Sequence, residues 1–225
     1  GGKIVQPNGS QAIGVSNGNL TVKSGIIEVT SDSAGADSAT TQNCAVFVRG
    51  SGVADIQGGT LIGNRGIYIG GKLGGGTLNV SGGTIHGKSS YALEVVGGSA
   101  ALSGGSYTTD VTDGCSIWNA DGTAAALLDS GYRYQDDNGK ESKYSDDTHG
   151  VVGDTTVAVR PANEFPYVDA NGKEQTQANC TVLTADGFEG AYADTTTWFA
   201  ANTDITANDP LQVRGTVNLI LCDGV

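Results

Sequence analysis

The 225-residue chain contains no methionine, so it does not open on an initiator residue and reads as a segment cut from a longer protein. Proline occurs only 4 times, and aromatics make up 6% of the residues. Large rings therefore cannot dominate the interior, which must be aliphatic and thin. Basic residues are scarce, 12 against 24 acidic ones, for a net charge of −12. That balance argues against nucleic acid and anionic membrane surfaces as partners, because both need a basic patch. It also repels a polyanionic substrate unless a cation intervenes. No apolar run is long enough to cross a bilayer and no signal peptide is present, so membrane insertion is not expected. The four cysteines, Cys44, Cys115, Cys180 and Cys222, lack C-x-x-C or C-x-H spacing. No zinc, other metal or cofactor is expected.

Glycine is what the chain has in abundance: 36 residues, without the G-X-Y period of collagen. At that level it marks turns. Four runs align on a doubled glycine or its remnant: LTVKSGII (Leu20–Ile27), ADIQGGTL (Ala54–Leu61), LNVSGGTI (Leu78–Ile85) and AALSGGSY (Ala100–Tyr107). Their marker residues Gly25, Gly59, Gly83 and Gly105 stand 34, 24 and 22 positions apart. A period in the twenties made of short strands predicts a solenoid. One repeat cannot bury its own apolar face, so neighbours must stack. A further strand follows each glycine-turn pair: AVFVRG (Ala45–Gly50), GIYIGG (Gly66–Gly71), YALEVVGG (Tyr91–Gly98) and CSIWNADG (Cys115–Gly122). Three short strands per rung of 22–24 residues is the pattern of a parallel β-helix.

Side chains alternate along a strand, so the inward columns can be written down. The first strand supplies Leu20/Val22, Ala54/Ile56, Leu78/Val80 and Ala100/Leu102. The second supplies Ile27, Leu61, Ile85 and Tyr107, and the third Val46/Val48, Ile67/Ile69, Leu93/Val95 and Ile117. Cys44 and Cys115 share one column. Three rungs separate them by roughly 14 Å at about 4.8 Å per rung, beyond the reach of a disulfide. Pairing of Cys180 with Cys222 is left open.

The long first interval holds a small, polar insert, Thr30–Asn43, expected as a surface loop. After Gly122 the period fails. AAALLDSGY (Ala124–Tyr132) is the candidate helical turn that covers the open end. Two near-identical octads, YQDDNGKE (Tyr134–Glu141) and YVDANGKE (Tyr167–Glu174), predict Asn-Gly hairpins. A calcium loop is disfavoured, since the twelve-residue ligand set is missing. These readings give an all-β chain: a parallel β-helix with its cap over 1–160, and a hairpin-led, β-rich segment over 161–225.

The runs LNVSGGTIHG, AALSGGSYTT, ALLDSGYRYQDDNGK, YVDANGKEQTQANCTVLTAD and VNLILCDG resemble repeat regions of large adhesin-like surface proteins of Gram-positive gut bacteria, the Firmicutes. The resemblance covers most of the chain. It implies a right-handed parallel β-helix, export, and a secreted or cell-wall-anchored, extracellular location. It carries no catalytic residue across. In such proteins the hairpin and the LILxDG strand open a repeat, so 161–225 is expected to begin a following unit.

The fold also invites comparison with pectin-degrading lyases and hydrolases. Asn202-Thr203-Asp204, Asp136-Asp137, Asp146-Asp147 and Ile85-His86-Gly87 sit in the wrong order for the hydrolase signature, and an RIK motif is absent. A lyase needs several outward carboxylates, and the first strand's outward column (Thr21, Asp55, Asn79, Ala101) has one. His86, outward beside Ile62 and Thr108, and His149, in an acidic loop, read as solvated surface residues. The sharper signal is the third strand's outward column, Phe47, Tyr68, Glu94 and Trp118. Such rings either form an exposed ridge that stacks on sugars or anchors a protein, or are covered by the insert or the post-rung tail. The expected function is a non-catalytic, monomeric binding module whose partner is a host or dietary glycan or glycoprotein, or a host protein such as mucin or immunoglobulin. The alternatives are a structural stalk and a polysaccharide lyase or hydrolase.

Overall fold

The computed structural model describes residues 1–7, 10–31, 43–71, 74–111, 115–136, 149–152, 155–188, 196–207 and 210–222. Two compact units emerge: Gly1–Tyr134 with Ser142–Arg160, and Gln135–Glu141 with Pro161–Val225. The first is a parallel β-helix. Its first sheet stacks Asn19–Val22, Val53–Ile56, Thr77–Val80 and Ser99–Leu102. The second stacks Lys3–Gln6, Ile26–Val29, Thr60–Gly63, Thr84–Gly87 and Ser106–Thr109. The third stacks Gln11–Val15, Cys44–Val48, Arg65–Ile69, Leu93–Val95 and Cys115–Asn119.

The inward columns fall in the expected register. Leu20, Ala54, Leu78 and Ala100 align, as do Val22, Ile56, Val80 and Leu102. Ile27, Leu61, Ile85 and Tyr107 form the second column. Val46, Ile67, Leu93 and Ile117 form the third. All of these are buried except Leu20 and Ala100, which pack partly buried against the same core. Stacking them contributes about 1.5–3 kcal/mol for each larger side chain. A further inward column of small residues, Ala45, Gly66, Ala92 and Ser116, lines the corner between second and third sheets. A Cβ on Gly66 would stand 2.3 Å from Ile85 Cγ2, so only small side chains fit there.

The doubled glycines do two jobs. Gly25, Gly59, Gly83 and Gly105 adopt φ of +92°, +86°, +93° and +94°, a region that L side chains avoid. The preceding Gly58, Gly82 and Gly104 lie under the carbonyls of the rung before. A Cβ there would meet Lys23 O at 2.4 Å, Gln57 O at 2.7 Å and Ser81 O at 2.2 Å.

Beyond Asn119 the ladder is closed by reversed strands. Thr156–Pro161 runs antiparallel to Ser106–Thr109, and Gly150–Val152 antiparallel to Cys115–Asn119. AAALLDSGY forms a single 3-10 turn, Ala124–Leu127, with Ala124 and Leu127 in the core. Leu128 then bridges to Leu102, and Tyr132–Gln135 joins the second sheet. Most of the polar insert (residues 32–42), the second half of the YQDDNGKE octad, and Asp137, Asp146 and Asp147 lie outside the described residues.

In the second unit Phe165–Val168 pairs antiparallel with Glu174–Gln177, the hairpin foreseen for YVDANGKE. Asp169 Oδ1 accepts the amides of Lys173 and Asn171 at 3.0 and 2.9 Å, which hold its carboxyl below the ordinary range. Thr181–Val182, Thr196–Ala201 and Thr216–Leu221 make a parallel sheet. Cys180 and Cys222 are buried in one core cluster with Phe165, Ala200 and Ile220. Leu183, Phe199 and Ala201 form another.

Candidate functional site

Parallel pairing of the third sheet places Phe47, Tyr68, Glu94 and Trp118 in one outward column. The alignment follows from the inward register, because each of these residues follows an inward aliphatic by one position. The column is not an open ridge. Phe47 is 8% exposed and Tyr68 7%. Their rings lie 5.3 Å apart at 45° and share a cluster with Cys44. Gly70 and Gly71 leave room for them: a Cβ there would meet Tyr68 Oη at 3.3 Å and Phe47 Cζ at 3.4 Å.

Two arginines cover the rings. The Arg49 guanidinium sits 5.3 Å from the Phe47 centroid, and its Nε donates to Ser16 Oγ at 2.9 Å. Arg65 sits 5.8 Å from the Tyr68 centroid, and its Nε donates to the Glu94 carboxylate. Glu94 thus ties its own rung to the Tyr68 rung as a salt-bridge partner rather than as a free acid. Burial, then the Glu94 charge, pushes the Tyr68 phenol above its ordinary value. Burial likewise pushes the Cys44 thiol up to about 12 and the Cys115 thiol to about 11. Both thiols are therefore inert at neutral pH.

Trp118, half-buried, is held on two sides. Tyr91 stacks on it at 5.5 Å and 17°, and the His149 ring meets it at 5.3 Å and 50°. His149 Nδ1 lies 2.8 Å from both the Asn119 and Gly122 carbonyls. A carbonyl can only accept, so Nδ1 carries the proton. His149, at a bend just before the closing strand Gly150–Val152, is exposed as expected, and it also packs its ring on Trp118. His86 does face outward between Ile62 and Thr108, and it pairs with Asp110 at 2.8 Å. The first sheet's outward acid, Asp55, accepts a bond from Asn79 Nδ2 at 2.7 Å. The Asn202–Asp204 triplet lies in the second unit and Ile85–Gly87 in the first.

Sequence reasoning missed Arg49, Arg65 and Tyr91, and the packing of His149 on Trp118. A signal existed for two of them. Cys44 pairs with Arg65, and the same register carries that column on through Tyr91 to Cys115. Chemically, the arrangement offers cation–π contacts, one ion pair and ring stacking between rungs, with no nucleophile–base pair among the described residues at this face. No protein-family model matches the chain, and neither curated proteins nor solved structures contain a significant match to it.

Proposed function

We propose that this chain is a non-catalytic β-helical module of a secreted or wall-anchored bacterial surface protein, and that its third-sheet face serves as a structural clamp in a stalk. The observation that carries this reading is the burial of Phe47 and Tyr68 beneath Arg49 and Arg65. Those groups are used up by contacts between rungs. The test is a pair of thermal melts. Tyr68→Ala and Phe47→Ala should each lower stability by about 3–5 kcal/mol, the cost of removing a buried ring, without affecting capture of any ligand by the intact fold. Unchanged melting would return these rings to a binding role.

A second reading is favoured by Trp118, which is less buried than the other two rings. Here the module recognises a host or dietary glycoconjugate, or a host protein such as mucin or immunoglobulin, through Trp118 and Tyr91. A glycan array beside a mucus and serum pull-down, run with Trp118→Ala, separates it from the stalk. Turnover of polygalacturonate into unsaturated uronides or new reducing ends would overturn both readings in favour of a polysaccharide-cleaving enzyme.

A further inference from the structure

The Asn-Gly hairpin of the second unit holds a reactive pair of residues. Its strands Phe165–Val168 and Glu174–Gln177 end on the Val168–Glu174 pair, so Asp169, Ala170, Asn171, Gly172 and Lys173 make the connection. Gly172 adopts φ +75°, a region that glycine enters without steric cost. The turn thus places a glycine directly after Asn171. A glycine nitrogen is the least hindered backbone nucleophile, and attack on the preceding asparagine side chain closes a succinimide ring. Both residues are exposed, and nothing stands within 4 Å of the Cβ that Gly172 lacks. Among the described residues no hydrogen bond holds the Asn171 side-chain amide.

The turn itself restrains the nucleophile. The Gly172 N–H donates to the Asp169 carbonyl at 2.9 Å, and the Asp169 N–H donates to the Lys173 carbonyl at 3.0 Å. Asp169 Oδ1 accepts the Asn171 and Lys173 amides of the same loop, and Oδ2 accepts Gln175 Nε2 at 3.3 Å. Attack demands that the Gly172 nitrogen leave the Asp169 carbonyl, so local opening of the hairpin precedes reaction.

We propose that Asn171 is a deamidation site guarded by Asp169, and that its conversion is a one-way latch on the hairpin. The Gly172 nitrogen bonds to Asn171 Cγ, the Cγ–Nδ2 bond breaks, and the Gly172 amide proton leaves with Nδ2 as ammonia. Solvent water then opens the imide at either carbonyl, giving aspartate or isoaspartate. Isoaspartate puts an extra methylene into the main chain between positions 171 and 172, inside the ring that the Gly172–Asp169 hydrogen bond closes. The lengthened loop cannot remake that bond together with the Asp169 carboxylate bonds, so an opening that was reversible becomes permanent. The hairpin seats Phe165 in the core and Tyr167 against Trp198 at 5.5 Å, and that seat loosens with it.

Peptide mapping of the whole chain, held in mildly alkaline buffer with and without urea, tests this. Fragmentation places the change, an amide NH2 replaced by hydroxyl, at Asn171 and separates it from Asn138 of the similar YQDDNGKE octad. Asn171 should convert readily in urea and many-fold more slowly in the folded chain. Asp169→Ala should speed conversion several-fold in the folded chain and leave the rate in urea unchanged. Circular dichroism checks that this variant keeps its strand signal; Asp169→Ser, with a single acceptor oxygen, replaces it with the same expected direction if it does not. The isoaspartate chain, separated by its added charge, should show faster hydrogen exchange in Phe165–Val168 and Glu174–Gln177. Equal rates with and without urea overturn the guarded site, as does an Asp169 variant that converts no faster than the parent, or an Asn171 that survives urea. Unchanged exchange in the isoaspartate chain overturns the latch.

Discussion

Tyr107 occupies a position that Ile27, Leu61 and Ile85 fill in earlier rungs. It keeps its hydroxyl satisfied inside the solenoid by donating to the Gly104 carbonyl at 3.1 Å. Burial, and then its neighbour Tyr134, raises its phenol well above the ordinary value of 10.0. Burial raises Tyr68 and Tyr91 in the same direction. The folded state therefore holds these protons more tightly than the unfolded chain. Below pH 10 neither state releases them and stability is unaffected. As pH rises from the ordinary phenol value towards the raised ones, unfolding releases protons and stability falls. Each such group adds a slope of about 1.4 kcal/mol per pH unit across its window. Chemical denaturation between pH 8 and 12 should show this alkaline decline. Tyr107→Phe should cost about 1 kcal/mol at neutral pH, for the lost hydrogen bond, yet decline less steeply above pH 10. An unchanged slope would mean the Tyr107 phenol is not desolvated.

A rung is held by its corner as much as by its strands. Gly82→Ala drives a Cβ to 2.7 Å from the Gln57 carbonyl, and Gly83→Ala places a side chain at φ +93°. Each should destabilise by more than about 1 kcal/mol, because the change is incompatible with the native backbone. Gly18 is the contrast: nothing lies within 4 Å of the Cβ it lacks and its φ is not in the left-handed region. Gly18→Ala should be neutral, or stabilising by about 0.4–1 kcal/mol through the unfolded chain. Melts of the three variants check the ranking, and equal losses would defeat the corner argument. These glycines explain why so much of the solenoid was legible in the sequence. A turn that tolerates only Gly, followed by an alternating strand, fixes the register of every inward column from Leu20 to Ile117. What stayed hidden lacked a distinctive marker residue or lay across rungs. Ala45, Gly66, Ala92 and Ser116 are small enough to pass for filler, yet they shape a corner. KIVQ and QAIGV form an earlier rung whose only marker is Gly1-Gly2. Arg49, Arg65 and His149 act across rungs, and a linear reading of charge assigns such residues to solvent.

Over the whole solenoid, stability is set by contacts between neighbouring rungs, so a lesion should be felt locally. The end closed by Gly150–Val152 is the place to examine this. The Asn119 amide donates to the His149 carbonyl at 2.7 Å, while His149 Nδ1 returns a bond to the Asn119 carbonyl and reaches that of Gly122. The same ring packs on Trp118, which Tyr91 braces from the rung before. His149 therefore pins the closing strand to the last parallel rung by two kinds of contact. His149→Ala removes the ring and its donated bonds but leaves the backbone pair, a loss of about 1–2 kcal/mol. Native-state hydrogen exchange should then show faster opening of Cys115–Asn119 and Gly150–Val152, with a smaller change in Leu93–Val95. Gln11–Val15 and Cys44–Val48, at the other end of the same sheet, should exchange as before. If protection instead fell equally in all these strands, the β-helix would open as one cooperative block, and the closing strand would be part of the global fold instead of a separable lid on its last rung.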